Sequence, residues 1–221
     1  MAISVDLLRN IPYFSGLRTS ELDNLKNFFF AKTAERGVII FIEGEPAEST
    51  YFVDSGMVKV FKTSLNGREQ ILSIVYPGET FNDIPIFDGG INLASAQAME
   101  RVALYGIRGS DLAVISRNNP QVAVNVARVL ARQAHQLEVL IEDLSFRRVN
   151  SRIAKLLLEN SEKRDKYKSH FTHQELAAQA GTVREMAGKS LKCLADAGMI
   201  RLEPHRIVIT DKKSLKDIAD A

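Results

Sequence analysis

The stretch Thr172-His173-Gln174-Glu175-Leu176-Ala177-Ala178-Gln179-Ala180-Gly181-Thr182-Val183-Arg184-Glu185-Met186-Ala187-Gly188-Lys189 reads as two short helices and the bend between them. Thr172 and Glu175 form a capping box: the hydroxyl can accept from the Glu175 amide while the carboxylate reaches back to the Thr172 amide. Leu176, Ala177 and Ala180 give the first helix a small apolar face, and Gly181 breaks it. A second helix opens at Thr182 or Val183 and turns Ala187, Leu191 and Leu194 inward. Two helices joined by a glycine-containing bend of this length make a helix-turn-helix. The second helix then offers Arg184, Glu185, Gly188 and Lys189 on one N-terminal face. A guanidinium at 184 can fork onto O6 and N7 of guanine, a carboxylate at 185 can accept from the cytosine amino group, and Lys189 can add a guanine or phosphate contact. Gly188 permits close approach to a groove wall. Thr172 and His173, at the start of the first helix, complete the expected DNA-facing set.

Working outward, Met199 to Leu202, the turn Glu203-Pro204-His205-Arg206, and Ile207 to Ile209 predict a β-hairpin wing. Upstream, Arg152 to Ser161 predicts a helix with Ile153, Leu156 and Leu157 inward, and Glu162 to Ser169 reads as a charged loop. The sign of the charge changes near Ser145-Phe146-Arg147-Arg148, where a domain boundary is expected. Residues 145–221 carry 16 Lys and Arg against 10 Asp and Glu, whereas residues 1–144 carry 13 against 17. The overall +2 thus hides a basic last third suited to a polyanion.

Before that boundary, Ala123, Val126, Leu130, Gln133, Leu137, Leu140 and Leu144 alternate three and four apart, an a/d seam over three heptads that begins behind Pro120. Val122 and Val129 add a second apolar stripe. A helix with two apolar stripes suits its own domain on one side and a twin on the other, so a homodimer is expected, with Gln133 interrupting the seam and setting its register.

Further N-terminal, short apolar or alternating runs (Val38 to Ile42, Tyr51 to Val53, Val58 to Phe61, Ile71 to Val75, Ala94 to Met99, Val102 to Ile107) are punctuated by Gly44, Gly56, Gly67, Gly78 and Gly89, spaced 12, 11, 11 and 11 apart. Short strands with turns at that interval predict an antiparallel β sandwich or barrel. Ser110 to Ser116 is a short helical lead into the long helix. Residues 5–30 read as helical, with Leu7, Leu8, Ile11, Leu17, Leu22, Leu25, Phe28 and Phe29 apolar and Thr19-Ser20-Glu21 as a start.

The same residues exclude several kinds of chemistry. Cys193 is the single cysteine, so neither a disulfide within the chain nor an iron–sulfur cluster is available. The histidines stand at 135, 170, 173 and 205, so a β-roll metalloenzyme has no histidines on its strands. No Ser/His/Asp triad, phosphate-binding glycine loop or paired-carboxylate site is evident, and an enzyme is not expected. With Asp6 early in the chain and no sustained apolar run, a cytoplasmic protein with no membrane span is expected.

Four segments together resemble the Crp/Fnr family of bacterial transcription regulators: Phe41-Ile42-Glu43-Gly44-Glu45-Pro46, Gly56-Met57-Val58-Lys59-Val60, Pro77-Gly78-Glu79-Thr80-Phe81, and Gln174-Glu175-Leu176-Ala177 through Gly181 to Arg184-Glu185. The resemblance implies an α+β chain: a jelly-roll effector-sensing domain resembling cyclic-nucleotide-binding domains over 1–118, a dimerisation helix over 119–145 and a winged helix-turn-helix over 146–221. It also implies a dimer on a palindromic operator in double-stranded DNA, with RNA polymerase as a partner if the protein activates. Arg184, Glu185 and Lys189 match the family's base-reading positions, with lysine where arginine is common. Val183 stands where a serine usually caps the recognition helix, leaving Thr182 as the expected cap.

The likeness stops at the effector. Cyclic-nucleotide members follow a Gly-Glu pair, ten residues after the Glu, with Arg and then Ser or Thr; here Asn82-Asp83 is followed by Leu93, Ala94 and Ser95. A buried phosphodiester without that cation would be an uncompensated charge costing several kcal/mol. A less polar effector, a bound haem with His135 as ligand, or no ligand at all is expected instead. The seat, with Phe81, Asp83, Leu93, Ala94, Gln133 and Leu137, is expected between roll and long helix.

Overall fold

The structure is a computed structural model that describes residues 3–167, 172–203 and 206–220. Its elements run α1 (Val5–Asn10), a 3-10 turn (Pro12–Phe14), α2 (Thr19–Leu25), β1 (Phe29–Ala34), β2 (Ile39–Phe41), β3 (Ser49–Ser55), β4 (Val58–Thr63), β5 (Glu69–Val75), β6 (Thr80–Phe81), α3 (Ile84–Asp88), β7 (Ser95–Ala98) and β8 (Val102–Arg108). There follow α4 (Gly109–Asn118), α5 (Pro120–Phe146), α6 (Val149–Tyr167), α7 (His173–Gln179), α8 (Arg184–Asp196), β9 (Ile200–Glu203), β10 (Arg206–Ile209) and α9 (Lys212–Ala219). Contacts divide the chain into two units, Met1–Lys62 with Leu72–Gln136, and Thr63–Ile71 with Leu137–Ala221. No described helix is long and apolar enough to cross a membrane.

In the N-terminal half two four-stranded sheets, ordered β1-β8-β3-β6 and β2-β7-β4-β5, form the β-roll, with β1-β8-β3-β6 and β2-β7-β4 antiparallel. Alternation along the strands gives the first sheet two buried faces. Val53 and Leu104 join Val58, Ala96 and Ala98 of the other sheet in one core, while the neighbouring Phe52 and Tyr105, with Ile107, pack with Leu8, Ile11, Leu22, Leu112 and Ile115 of the helices. All five punctuating glycines have positive φ. At Gly56 the need is also steric, since a Cβ there would lie 2.4 Å from the Arg101 carbonyl oxygen.

In the second unit, Ile153, Ala154 and Leu157 of α6 close over Leu176, Ala177, Leu191, Leu194, Ile200 and Leu215, so that α6, the helix-turn-helix, the wing and α9 share one core. Asp211 starts α9 by accepting from the Lys213 and Ser214 amides, both at 3.0 Å. The wing pairs β9 with β10, and its tip residues Pro204 and His205 lie outside the described residues.

Four expectations change. Phe29, expected in the N-terminal helix, begins β1 and pairs with Ile107. The charged stretch after Ser161 is not a loop through Tyr167: α6 continues to that residue, because Glu, Lys and Arg are good helix formers and no Gly or Pro interrupts them. Lys168 and Ser169 lie outside the described residues. The first half of the α5 seam is only partly free for a twin helix: Val126 and Leu130 pack with Val122 and Val129 in their own domain, while Ala123 is exposed. The fourth change is at Thr182, which does not cap α8.

Candidate nucleic-acid interface and effector seat

The capping box at the start of α7 forms as read: Thr172 Oγ1 accepts from the Glu175 amide at 3.1 Å, and Glu175 Oε2 accepts from the Thr172 amide at 2.7 Å. Gly181 takes φ +63°, a backbone conformation that favours glycine, and a Cβ there would also press on the end of the Leu144 side chain. Leu176, Ala177, Ala187, Leu191 and Leu194 are buried as expected. Val183, not Thr182, holds the cap position of α8, with no side-chain hydrogen bond. The Thr182 amide donates back to the Ala177 carbonyl at 2.9 Å, which places Thr182 in the bend itself.

Thr172, His173, Arg184, Glu185 and Lys189 are all exposed, and Gly188 is half-exposed. Glu185 and Lys189 pair with each other at 2.7 Å, and that hydrogen bond and the ammonium charge hold the Glu185 carboxyl below its ordinary range. An exposed i,i+4 pair adds little to stability, so its members can exchange partners at low cost. The sequence did not single out Val183 and Met186 as contact residues, yet they are 48% and 42% exposed beside the polar residues expected to face DNA, apolar surface of the kind that meets a thymine methyl. The half-buried Asp143 pairs with Arg147 at 2.9 Å and Lys155 at 2.5 Å, and Arg147 also donates to the Ala219 carbonyl. The expected boundary segment is therefore tied to the DNA-reading unit.

In the other unit, Asn82 is the one non-glycine residue with positive φ among those described. Its amide donates to the Ser49 carbonyl and to Asn92 Oδ1, both at 3.0 Å, and Asn92 in turn donates through Nδ2 to the Ile42 carbonyl at 3.1 Å. These amides hold both ends of the loop that carries α3. Asp83, next in sequence, is buried and accepts from Tyr13, Thr50, Gln133 and, at 3.0 Å, Thr80. Burial raises its carboxyl above the ordinary range, outweighing the four donors that pull it down. Tyr13 is raised well above a normal phenol, by burial first and by the Asp83 charge second.

Of the expected seat residues, Asp83 and Gln133 meet directly. Phe81 reaches the same cluster only through its carbonyl, which accepts from Thr50 at 3.0 Å; its ring stacks on Tyr51 and Phe41 with centroids 5.4 and 5.9 Å away. Leu93 is 48% exposed, and Ala94 is buried. Leu137 belongs to the other unit, and His135 is exposed on α5. Among the described residues no three His, Cys, Asp or Glu side chains converge as a metal site. Tyr13, Thr50 and Thr80 escaped the sequence reading. Thr80, three residues before Asp83, had a local signal; Tyr13 and Thr50 come from distant segments and had none.

Residues 31–119 match the cyclic nucleotide-binding domain family and residues 151–218 the Crp-like helix-turn-helix domain family. The chain is 34% identical over 212 residues to the cyclic AMP receptor protein of Thermus thermophilus, spanning 96% of this chain and 98% of that one. It is 30% identical over 217 residues to a CRP-like cAMP-activated global transcriptional regulator of Mycobacterium tuberculosis, spanning 95% and 97%. A solved CRP/FNR-family transcriptional regulator, also from Thermus thermophilus, superposes with a TM-score of 0.74 at 27% identity, over 87% of this chain and 99% of that one. With the roll, the long helix and the winged reading head in the order these relatives share, the chain belongs to the Crp/Fnr family of DNA-binding transcription regulators.

Proposed function

We propose that this regulator acts as a homodimer on a palindromic operator and answers to a small effector that is not a cyclic nucleotide. Residues 1–118 sense, 119–145 dimerise and 146–221 bind DNA, without catalysis and in the cytoplasm. Arg184, Glu185 and Lys189 read base edges; Thr172 and His173 support them, and Gly188 lets the helix approach. The apolar residues left exposed in the second half of α5, including Leu137, Ile141 and Leu144, support the dimer.

One observation carries the effector reading: the cassette keeps its loop but not its phosphate chemistry. Leu93 and Ala94 stand in place of a cation and a hydroxyl, and the carboxylate at 83 is already engaged by four side chains of its own protein. The two relatives are named for cyclic AMP, and likeness alone would argue for that ligand. A phosphodiester placed here would meet no matching charge, a cost of several kcal/mol. Titration calorimetry with cyclic AMP and cyclic GMP tests the reading. No heat of binding at micromolar concentration is expected, and micromolar affinity for either nucleotide would overturn it.

A further inference from the structure

The carboxylate of Asp83 is buried, and its four partners are neutral: a phenol, two threonine hydroxyls and an amide. They arrive from four different parts of the sensor half, Tyr13 from the 3-10 turn, Thr50 from β3, Thr80 from β6 and Gln133 from α5. Tyr13 is the only titratable group among these partners, and none of the four carries a formal charge at neutral pH. An ionised carboxylate enclosed in this way is a buried anion without a counter-ion, which proteins generally avoid by pairing it or by protonating it.

The count of hydrogens points the same way. Thr50 Oγ1 has one hydrogen but lies within reach of two acceptors, Asp83 Oδ1 and, at 3.0 Å, the Phe81 carbonyl. If Asp83 is ionised, that hydrogen serves only one of the two contacts, and with Thr50 turned to Phe81 the close Thr50–Asp83 oxygen pair has no hydrogen between its members, although Oδ1 still accepts from Tyr13. If Asp83 carries a proton on Oδ1, it can donate to Thr50 Oγ1, which then donates to Phe81. Tyr13 still donates to Oδ1, and Thr80 and Gln133 still donate to Oδ2. Only in the protonated arrangement does each of these close oxygen contacts have a hydrogen of its own.

We propose that Asp83 is a proton site of the sensor half, resting as a neutral carboxylic acid, and that releasing this proton to solvent changes how firmly Gln133 holds α5. In the neutral state Gln133 donates to an uncharged oxygen. After ionisation the same oxygen is a charged acceptor, so the bond to α5 strengthens while the burial of the anion costs stability. The long helix is thereby linked to pH without any ligand. The direction of the carboxyl shift agrees with this state, and Tyr13, raised still further from its own range, remains protonated throughout.

Because the folded state holds the Asp83 proton more tightly than the unfolded chain, its contribution to stability is complete below the unfolded carboxyl range and is lost as pH rises through the folded value. Infrared spectroscopy of the full chain in heavy water reads the protonation state directly, and operator binding over the same pH range reads its consequence. The expected result is a protonated-carboxyl C=O band that disappears as pH rises and is missing from Asp83→Asn. Operator affinity in the wild type should change across the same interval, and Asp83→Asn should remove that part of the dependence. If the folded wild type has no such band at any pH, the proposal is wrong. Should Asp83→Asn fail to fold, Gln133→Leu serves instead: it should keep the band and lose the pH-linked change in operator affinity. A band retained with an unaltered pH profile would overturn the link to α5. The infrared readout needs neither DNA nor an effector, so it decides the proton site whatever the effector proves to be.

Discussion

Gly188 has no reason to be glycine in the isolated chain. It lies inside α8 with an ordinary helical backbone, and a Cβ built there meets nothing within 4 Å. Alanine should stabilise the helix by roughly 0.5–1 kcal/mol, because glycine gives up more backbone freedom on folding. In the proposed DNA complex, a groove wall close to the helix axis would supply a reason from outside the chain. Gly188→Ala should therefore raise the unfolding temperature slightly while weakening operator binding, a combination that loss of fold cannot produce. Thermal unfolding and fluorescence anisotropy with operator DNA, run on the same preparation, check both halves. Unchanged operator affinity would mean that α8 meets the groove through its longer side chains alone. Gly181 is the contrasting case, held to glycine by its own positive φ. Its role was readable from sequence because a helix stop inside a helix-turn-helix is a local feature. The partners of Asp83 were not readable, because Tyr13 and Thr50 reach it across 70 and 33 residues of chain.

At the scale of elements, α5 is where a correct reading of a helix gave an incomplete reading of its faces. Three-four spacing fits an a/d seam and also fits an ordinary stripe facing a domain core, and over two turns the patterns coincide. Val126 and Leu130 belong to the core stripe, whereas Leu137, Ile141 and Leu144 are 38%, 65% and 37% exposed. In the proposed dimer the contact therefore falls mainly in the second half of the helix. Leu137→Lys should give monomers in light scattering and abolish operator binding, since two half-sites about one helical turn apart need two linked recognition helices. An unchanged dimer mass would place the contact elsewhere. Similar limits explain the other elements. The helix of α6 outlasts its apolar pattern because helix propensity alone sustains charged residues, and the two-residue β6 is too short to leave a period. The glycine-spaced strands and the capping box were legible because each is specified within a few residues.

At the scale of the whole molecule, the charge split and the cores divide the chain in much the same place. The basic last third has its own apolar core, built from α6, the helix-turn-helix, the wing and α9, while the roll and its helices have two others. None of the buried residues in the second unit's core belongs to either of the sensor-half clusters. Cooperative unfolding follows shared packing, so the two units should melt as two transitions in scanning calorimetry. Leu191, buried at the centre of the DNA-reading core, separates them. Leu191→Ala should remove about 2–5 kcal/mol from that unit, the ordinary cost of a buried leucine truncated to leave a cavity. It should lower one transition and leave the other where it was. Operator binding should fall with the lowered transition, while the wild-type infrared signature of Asp83 should persist, because the carboxyl and its four partners lie wholly in the other unit. A single transition moving as a whole would show that the two cores unfold as one.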